Sequence, residues 1–167
     1  MSLFPALRTA GALAECVLPV METCALRVRA HLILDAGPVF LPARGEILRM
    51  QKTDTRLPPD TGRENVLAVS CFSMSLLVGE ARRNLLLSLR ERAGHTLFLD
   101  FKTPERNLEW PAALLFTPLR RALSCGELER LGGMEGLLYG EKARLTVLSR
   151  HTLKAGALCA VLVRNKA

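Results

Sequence analysis

The sequence predicts an α/β fold: one mostly parallel sheet with helices on both faces, closed at its C-terminal end by an antiparallel hairpin. Three observations predict it. Asn65–Phe72 and Thr96–Phe101 are apolar runs of the kind found in strands buried on both faces. Between them, Gly79–Arg92 repeats apolar residues at helical spacing (Ala81, Leu85, Leu86, Leu89) and carries Glu80, Arg82, Arg83, Arg90 and Arg92 on its other face. Strand, helix and strand in that order make a right-handed βαβ crossover, whose ligands sit beyond the carboxyl ends of the strands. Finally, Arg144–Leu148 and Leu158–Val163 flank Lys154-Ala155-Gly156, a hairpin pattern.

The elements follow along the chain. Residues 3–25 admit two readings. One is a strand over residues 2–8 that ends in the turn Thr9-Ala10-Gly11-Ala12-Leu13, where Gly11 allows close backbone approach to a ligand. The other is an amphipathic helical segment kinked at Pro19. Ala25–Leu34 reads as a strand ending in Asp35, before the turn composition Ala36-Gly37-Pro38. Glu46–Lys52 reads as a short third strand, followed by Asp54-Thr55. Asp54 follows Asp35 by only 19 positions, so the helix between those strands is cut to a turn around 39–44.

Parallel strands are thus expected near residues 27–34, 46–51, 65–71 and 96–101, and an antiparallel pair near 143–150 and 157–164. Leu108–Leu123 reads as a helix divided by Pro118, with Trp110-Pro111 anchoring its start and core, lid and dimer-face roles all open to it. Gly132-Gly133 offers a hinge. No internal repeat or linker divides the chain, so residues 1–167 are read as one domain.

Composition narrows the function classes. Hydrophobic residues make up 49% and charged residues 23% of the 167, which argues against disorder. No apolar run reaches ~18 residues, so no membrane span is expected, and the N-terminus makes a poor secretory signal; a cytoplasmic location follows as an expectation. Five cysteines (16, 24, 71, 125 and 159) without a close pair read as reduced thiols packed as small hydrophobes. His31, His95 and His151 have no ligand-type neighbours, so no metal site is expected. The net charge of +7 is spread along the chain, and one Trp, one Tyr and six Phe form no stacking array, so nucleic acid is not the expected partner.

The order of these elements resembles the second half of a class I S-adenosylmethionine-dependent methyltransferase domain. Leu57-Pro58, Val66–Phe72, Val78–Arg92 and Ala93-Gly94 stand where that family has its turn, fourth strand, following helix and entry to the fifth strand. Asp100-Phe-Lys-Thr-Pro-Glu-Arg-Asn-Leu-Glu-Trp-Pro111 resembles the loop after that strand in one branch, and Leu131-Gly-Gly-Met-Glu-Gly-Leu-Leu138 the late helix of the same branch. The resemblance covers about residues 54–167, and the N-terminal part looks eroded or shortened. It implies a Rossmann-like sheet, S-adenosylmethionine as cofactor and methyl transfer to a small molecule. The alternative is a non-catalytic methyltransferase-like interaction or oligomerisation module, for instance a homodimer, that has lost cofactor binding.

On that resemblance, the cofactor contacts fall on Thr9 and Gly11 in the first turn, Asp35 on the ribose, Asp54 and Thr55 at the adenine, and Ser70 and Phe72 near the transferred methyl. Each has a plain structural counterpart: a helix residue, a turn or cap aspartate, a buried strand end. Lys102, Glu105 and Arg106 cluster where the fifth strand meets solvent and are the candidate substrate contacts, or else a capping and pairing group. Methyl transfer relies on alignment and exclusion of water, so no acid–base pair is required, and no catalytic residue is singled out.

Overall fold

The computed structural model describes residues 3–37, 39, 47–49, 61–104, 107–123, 128, 130–142 and 144–166. Among the described residues six strands form one sheet: β1 (Leu32–Asp35), β2 (Ile47–Arg49), β3 (Val66–Cys71), β4 (His95–Phe101), β5 (Leu145–Leu153) and β6 (Leu158–Asn165), in the spatial order β2-β1-β3-β4-β6-β5. β2, β1, β3 and β4 run parallel, and β6 runs antiparallel to both β4 and β5. The mixed sheet and the C-terminal hairpin are therefore as expected.

Alternation along the strands sorts side chains into two cores. Leu67, Val69 and Cys71 of β3, Leu97 and Leu99 of β4, and Ala160 and Leu162 of β6 face one side. Val66 and Ala68, Phe98, and Val161 and Val163 face the other. The first core is covered by α1 (Leu3–Ala14) and α2 (Leu18–Val28) through Ala14, Leu18, Met21 and Cys24, and by α6 (Thr117–Ala122) through Leu119. The second is covered by α4 (Gly79–Arg92) through Leu89 and by α7 (Gly133–Gly140) through Met134 and Leu138. Short helices among the described residues include α3 (Ser73–Leu76) and α5 (Trp110–Leu115). Pro118 sits in the first turn of α6, where its missing N–H costs nothing, and this splits the 108–123 segment as its sequence suggests.

The N-terminal third differs from one of its two readings. Residues 3–14 are helical, so there is no strand over 2–8 and no glycine turn at Thr9-Gly11. Ala10, Ala14, Val17, Met21 and Cys24 are buried at spacings of three and four, a helical stripe that runs through the 3₁₀ turn Glu15–Val17. The helix persists to Val28 and ends where Arg29 takes a left-handed conformation (φ 53°), so the expected strand 27–34 shrinks to 32–35. Within the 21-residue stretch Arg8–Val28 an 18-residue window has a mean hydropathy of 1.3, long and apolar enough to cross a membrane by that measure, contrary to the expectation from sequence. One face of it nonetheless packs on the sheet, as a core helix does.

Two further expectations are corrected. Arg82, assigned to the solvent face of α4, is 4% exposed and donates from Nε to the Leu77 carbonyl at 2.9 Å, while Ala81 is exposed. Trp110, expected to anchor its helix against the body of the domain, is half exposed. At the N-terminal ends of the strands, Asn165 Nδ2 donates to the carbonyl of Ala93 and to Thr96 Oγ1, both at 2.8 Å, tying the end of β6 to the start of β4.

Gly11 now has a defined environment: mid-helix, with no atom within 4 Å of where a Cβ would stand. Gly11→Ala should therefore stabilise the protein by up to ~1 kcal/mol, because alanine loses less backbone entropy in a helix. Thermal unfolding should show the midpoint rising by about 2–4 °C; a fall would contradict the helical placement.

Candidate functional site

The parallel strands deliver four polar side chains to their carboxyl ends: Asp35 from β1, Ser70 from β3, Ser73 just beyond it and Asp100 from β4. Each is at most 1% exposed. Ser70 Oγ donates to Ser73 Oγ at 2.7 Å. Asp100 accepts from the Ser75 backbone N–H at 3.0 Å and from the Phe101 N–H at 2.8 Å, and bonds the Ser75 hydroxyl. Burial pushes the Asp100 carboxyl up to about 6, and these hydrogen bonds pull it part of the way back. Phe72 takes φ +55° and stacks obliquely on Phe101, with ring centroids 5.1 Å apart. Cys71 lies wholly buried, and desolvation, reinforced by Asp35, raises its thiol well above the ordinary range, so it is no nucleophile.

Among the sequence-predicted positions, Asp35, Ser70 and Phe72 come together at this end of the sheet. Asp35 does so differently from expectation. With residues 3–28 helical, β1 is the first strand and lies between β2 and β3, so Asp35 ends a central strand rather than the second one. Thr9 and Gly11 lie on α1 and form no turn. Lys102, just past β4, pairs with Glu109 at 2.8 Å, which gives it a fixing role there. Asp54, Thr55, Glu105 and Arg106 lie outside the described residues. Ser73 and Asp100 lie at the strand ends where the crossover rule places ligands; sequence reasoning missed Ser75 and the role of Gly37, and the signal for the latter was present, because Gly37 stands two residues past a buried strand ending in aspartate.

The residues present can be tested against an S-adenosylmethionine site of the kind the resemblance implies. Such a site needs open backbone beyond the first strand and polar groups facing the opening. Gly37 instead turns its bare side onto the protein itself: a Cβ there would lie 2.9 Å from Ser73 Oγ and 3.3 Å from the Cys71 backbone nitrogen. Val39 then pairs with Cys71 across the end of β3 and is 3% exposed. Gly37 and Val39 thus bring the chain's own backbone against the end of β3, where the cofactor would need an open glycine edge, and the described residues as packed do not fit it. Among the described residues no cluster of His, Cys, Asp or Glu could hold a metal ion, and Cys16, Cys24, Cys71 and Cys159 are free thiols.

Comparison with known proteins adds little. No family model matches the chain, and no curated protein matches its sequence. Solved structures do resemble it, among them one described as the structure of LepI complex with SAM. The TM-score is 0.49 at 15% identity, covering 87% of this chain and 41% of that one. The chain thus spans about two fifths of that protein's length, and a likeness this distant bears on neither cofactor nor activity.

Proposed function

We propose that this chain is a non-catalytic α/β module of methyltransferase type, in which the strand-end crevice has been closed by the chain itself and the surface rather than the crevice makes the interactions. The Val39–Cys71 pairing carries this reading, since it places backbone where a nucleoside cofactor would have to enter. The short connection between β1 and β2, residues 36–46, points the same way: a parallel crossover usually needs a dozen or more residues. Exposed apolar side chains around α5 support an interaction role, with Leu108 88%, Leu115 80% and Leu114 64% exposed.

A second reading, S-adenosylmethionine-dependent methylation of a small molecule, is favoured by one observation. Buried Asp35, Ser70, Ser73 and Asp100 gather where a ligand-binding sheet keeps its polar groups, although an apolar core there would be cheaper to build. Calorimetric titration with S-adenosylmethionine and S-adenosylhomocysteine separates the two. The module reading expects no saturable heat at about millimolar ligand, weaker than ~4 kcal/mol of binding free energy. Tight saturable binding that survives blocking of the cavity described next would replace it with the second reading.

A further inference from the structure

A cavity of about 490 Å³ lies between the hairpin, the first turn of α7 and Lys102-Thr103 just past the end of β4. Its construction follows from register and from two glycines. In the hairpin, Arg150 is paired with Val161 and Thr152 with Cys159, and the two-residue repeat puts all four on the face turned to α7. Met134 and Glu135 in the first turn of α7 cover part of that face. Gly132 and Gly133 precede them in left-handed conformations (φ +80° and +71°), and Thr103 packs on the bare side of Gly133, where a Cβ would lie 2.7 Å from its Oγ1.

The lining is mixed, with Thr103, His151 and Thr152 beside Cys159; of its charged groups, Lys102 is already paired with Glu109 at 2.8 Å, and Arg150 and Glu135 stand at the mouth. Met134 is 2% exposed and Val161 fully buried, and burial pushes the neighbouring Cys159 thiol up to about 12, so it stays neutral. At the mouth, Arg150 Nη2 and Glu135 Oε2 stand 2.7 Å apart, with side chains 56% and 50% exposed. A pair so exposed is held by no more than about 1 kcal/mol, so a ligand can open it. A carboxylate alone would satisfy Arg150 and meet Glu135 as a like charge; an amine alone would do the converse. Only a molecule with both charges leaves both partners paired.

We propose that this cavity binds a small zwitterion, an α-amino acid with an apolar side chain. Its carboxylate lies on Arg150, its ammonium on Glu135, and its side chain against Thr152 and Cys159, above the buried Met134 and Val161. The volume lies within the range of about 300–1,000 Å³ usual for small-molecule sites. The inference does not depend on the state of the crevice.

Titration calorimetry of the full chain tests it with three probes of one shape: L-leucine, 4-methylpentanoate without the ammonium, and 3-methylbutylamine without the carboxylate. Leucine should bind saturably, and each singly charged analogue about tenfold or more weaker, the usual worth of one charge-assisted bond. Arg150→Ala and Glu135→Gln, both at exposed positions, should each weaken leucine by a similar factor. Thr152→Trp, also at an exposed position, should abolish binding by filling the space. Absence of leucine binding at about 20 mM, a concentration that detects affinities weaker than ~4 kcal/mol, would overturn the proposal. Equal binding of all three probes, or leucine binding indifferent to Arg150→Ala, Glu135→Gln and Thr152→Trp, would overturn it too. S-adenosylmethionine also ends in an amino-acid group. Heat from that cofactor that disappears in Thr152→Trp belongs to this cavity, and heat that remains belongs to the crevice.

Discussion

Asp100→Ala is expected to lower the unfolding free energy by about 2–4 kcal/mol at pH 5, since each buried donor left without its acceptor costs roughly 1–3 kcal/mol. The donors in question are the Ser75 and Phe101 N–H groups, held in a fully buried site. The same carboxyl makes stability depend on pH, and the sign runs against the usual aspartate. Its value rises from 3.8 to about 6 on folding, chiefly through desolvation, so the folded state prefers the protonated form. The stabilisation is fully present below about pH 4 and is lost as pH rises through about 6. The Ser75 hydroxyl can donate to the carboxylate or accept from the acid, so its bond survives either way. Denaturant unfolding of the unmutated protein should therefore give about 1–3 kcal/mol more stability from this group at pH 4 than at pH 7. Asp100→Asn, which keeps an acceptor but cannot ionise, should remove that slope. An equal pH dependence in the two proteins would show that Asp100 does not titrate as its burial requires.

That Asp100–Ser75 link illustrates what the sequence could and could not disclose. The β3–α4–β4 unit was legible from the continuous apolar runs in Val66–Cys71 and His95–Phe101 and from the repeat Leu85, Leu86, Leu89 between them, although Ala81 and Arg82 were placed on the wrong faces of the helix. The hairpin was legible from two apolar runs around Gly156, which takes φ +94°. Contacts between residues 25 apart leave no local trace, so Asp35 and Ser70 were legible as strand-end polar groups but the bonds from Ser75 to Asp100 were not. Residues 25–31 were misread because a short apolar run suits either a strand or the last turn of a helix, and only the stripe from Ala10 to Cys24 decides between them. That single choice moved Asp35 from the second strand to the first and dissolved the turn expected at Gly11. The cavity at the hairpin was hidden for a related reason. It depends on which residues of β5 and β6 face each other, and register is a property of the folded sheet.

The steepest loss from a single methyl group should come at Gly136. A Cβ there would stand 1.6 Å from the Leu131 carbonyl oxygen and 2.7 Å from its carbon, both main-chain atoms that no rotamer change can move. The close approach arises because Gly132 and Gly133 turn the chain through positive φ and lay the Leu131 carbonyl over the first turn of α7. Gly136→Ala should cost about 2–4 kcal/mol, at or above the upper end of ordinary overpacking, because helix and turn must separate. Gly140, the last residue of the same helix, has nothing within 4 Å of its Cβ position. Gly140→Ala should be neutral, within about 0.5 kcal/mol, as surface changes generally are. The pair shares one helix and one chemical change, so helix propensity cannot explain a difference between them. Thermal melts in which Gly136→Ala unfolds with the unmutated protein would show that the Leu131 carbonyl does not lie over α7. The same shift would displace Met134 and Glu135 from the cavity, so Gly136→Ala should also weaken leucine binding, whereas Gly140→Ala should leave it unchanged.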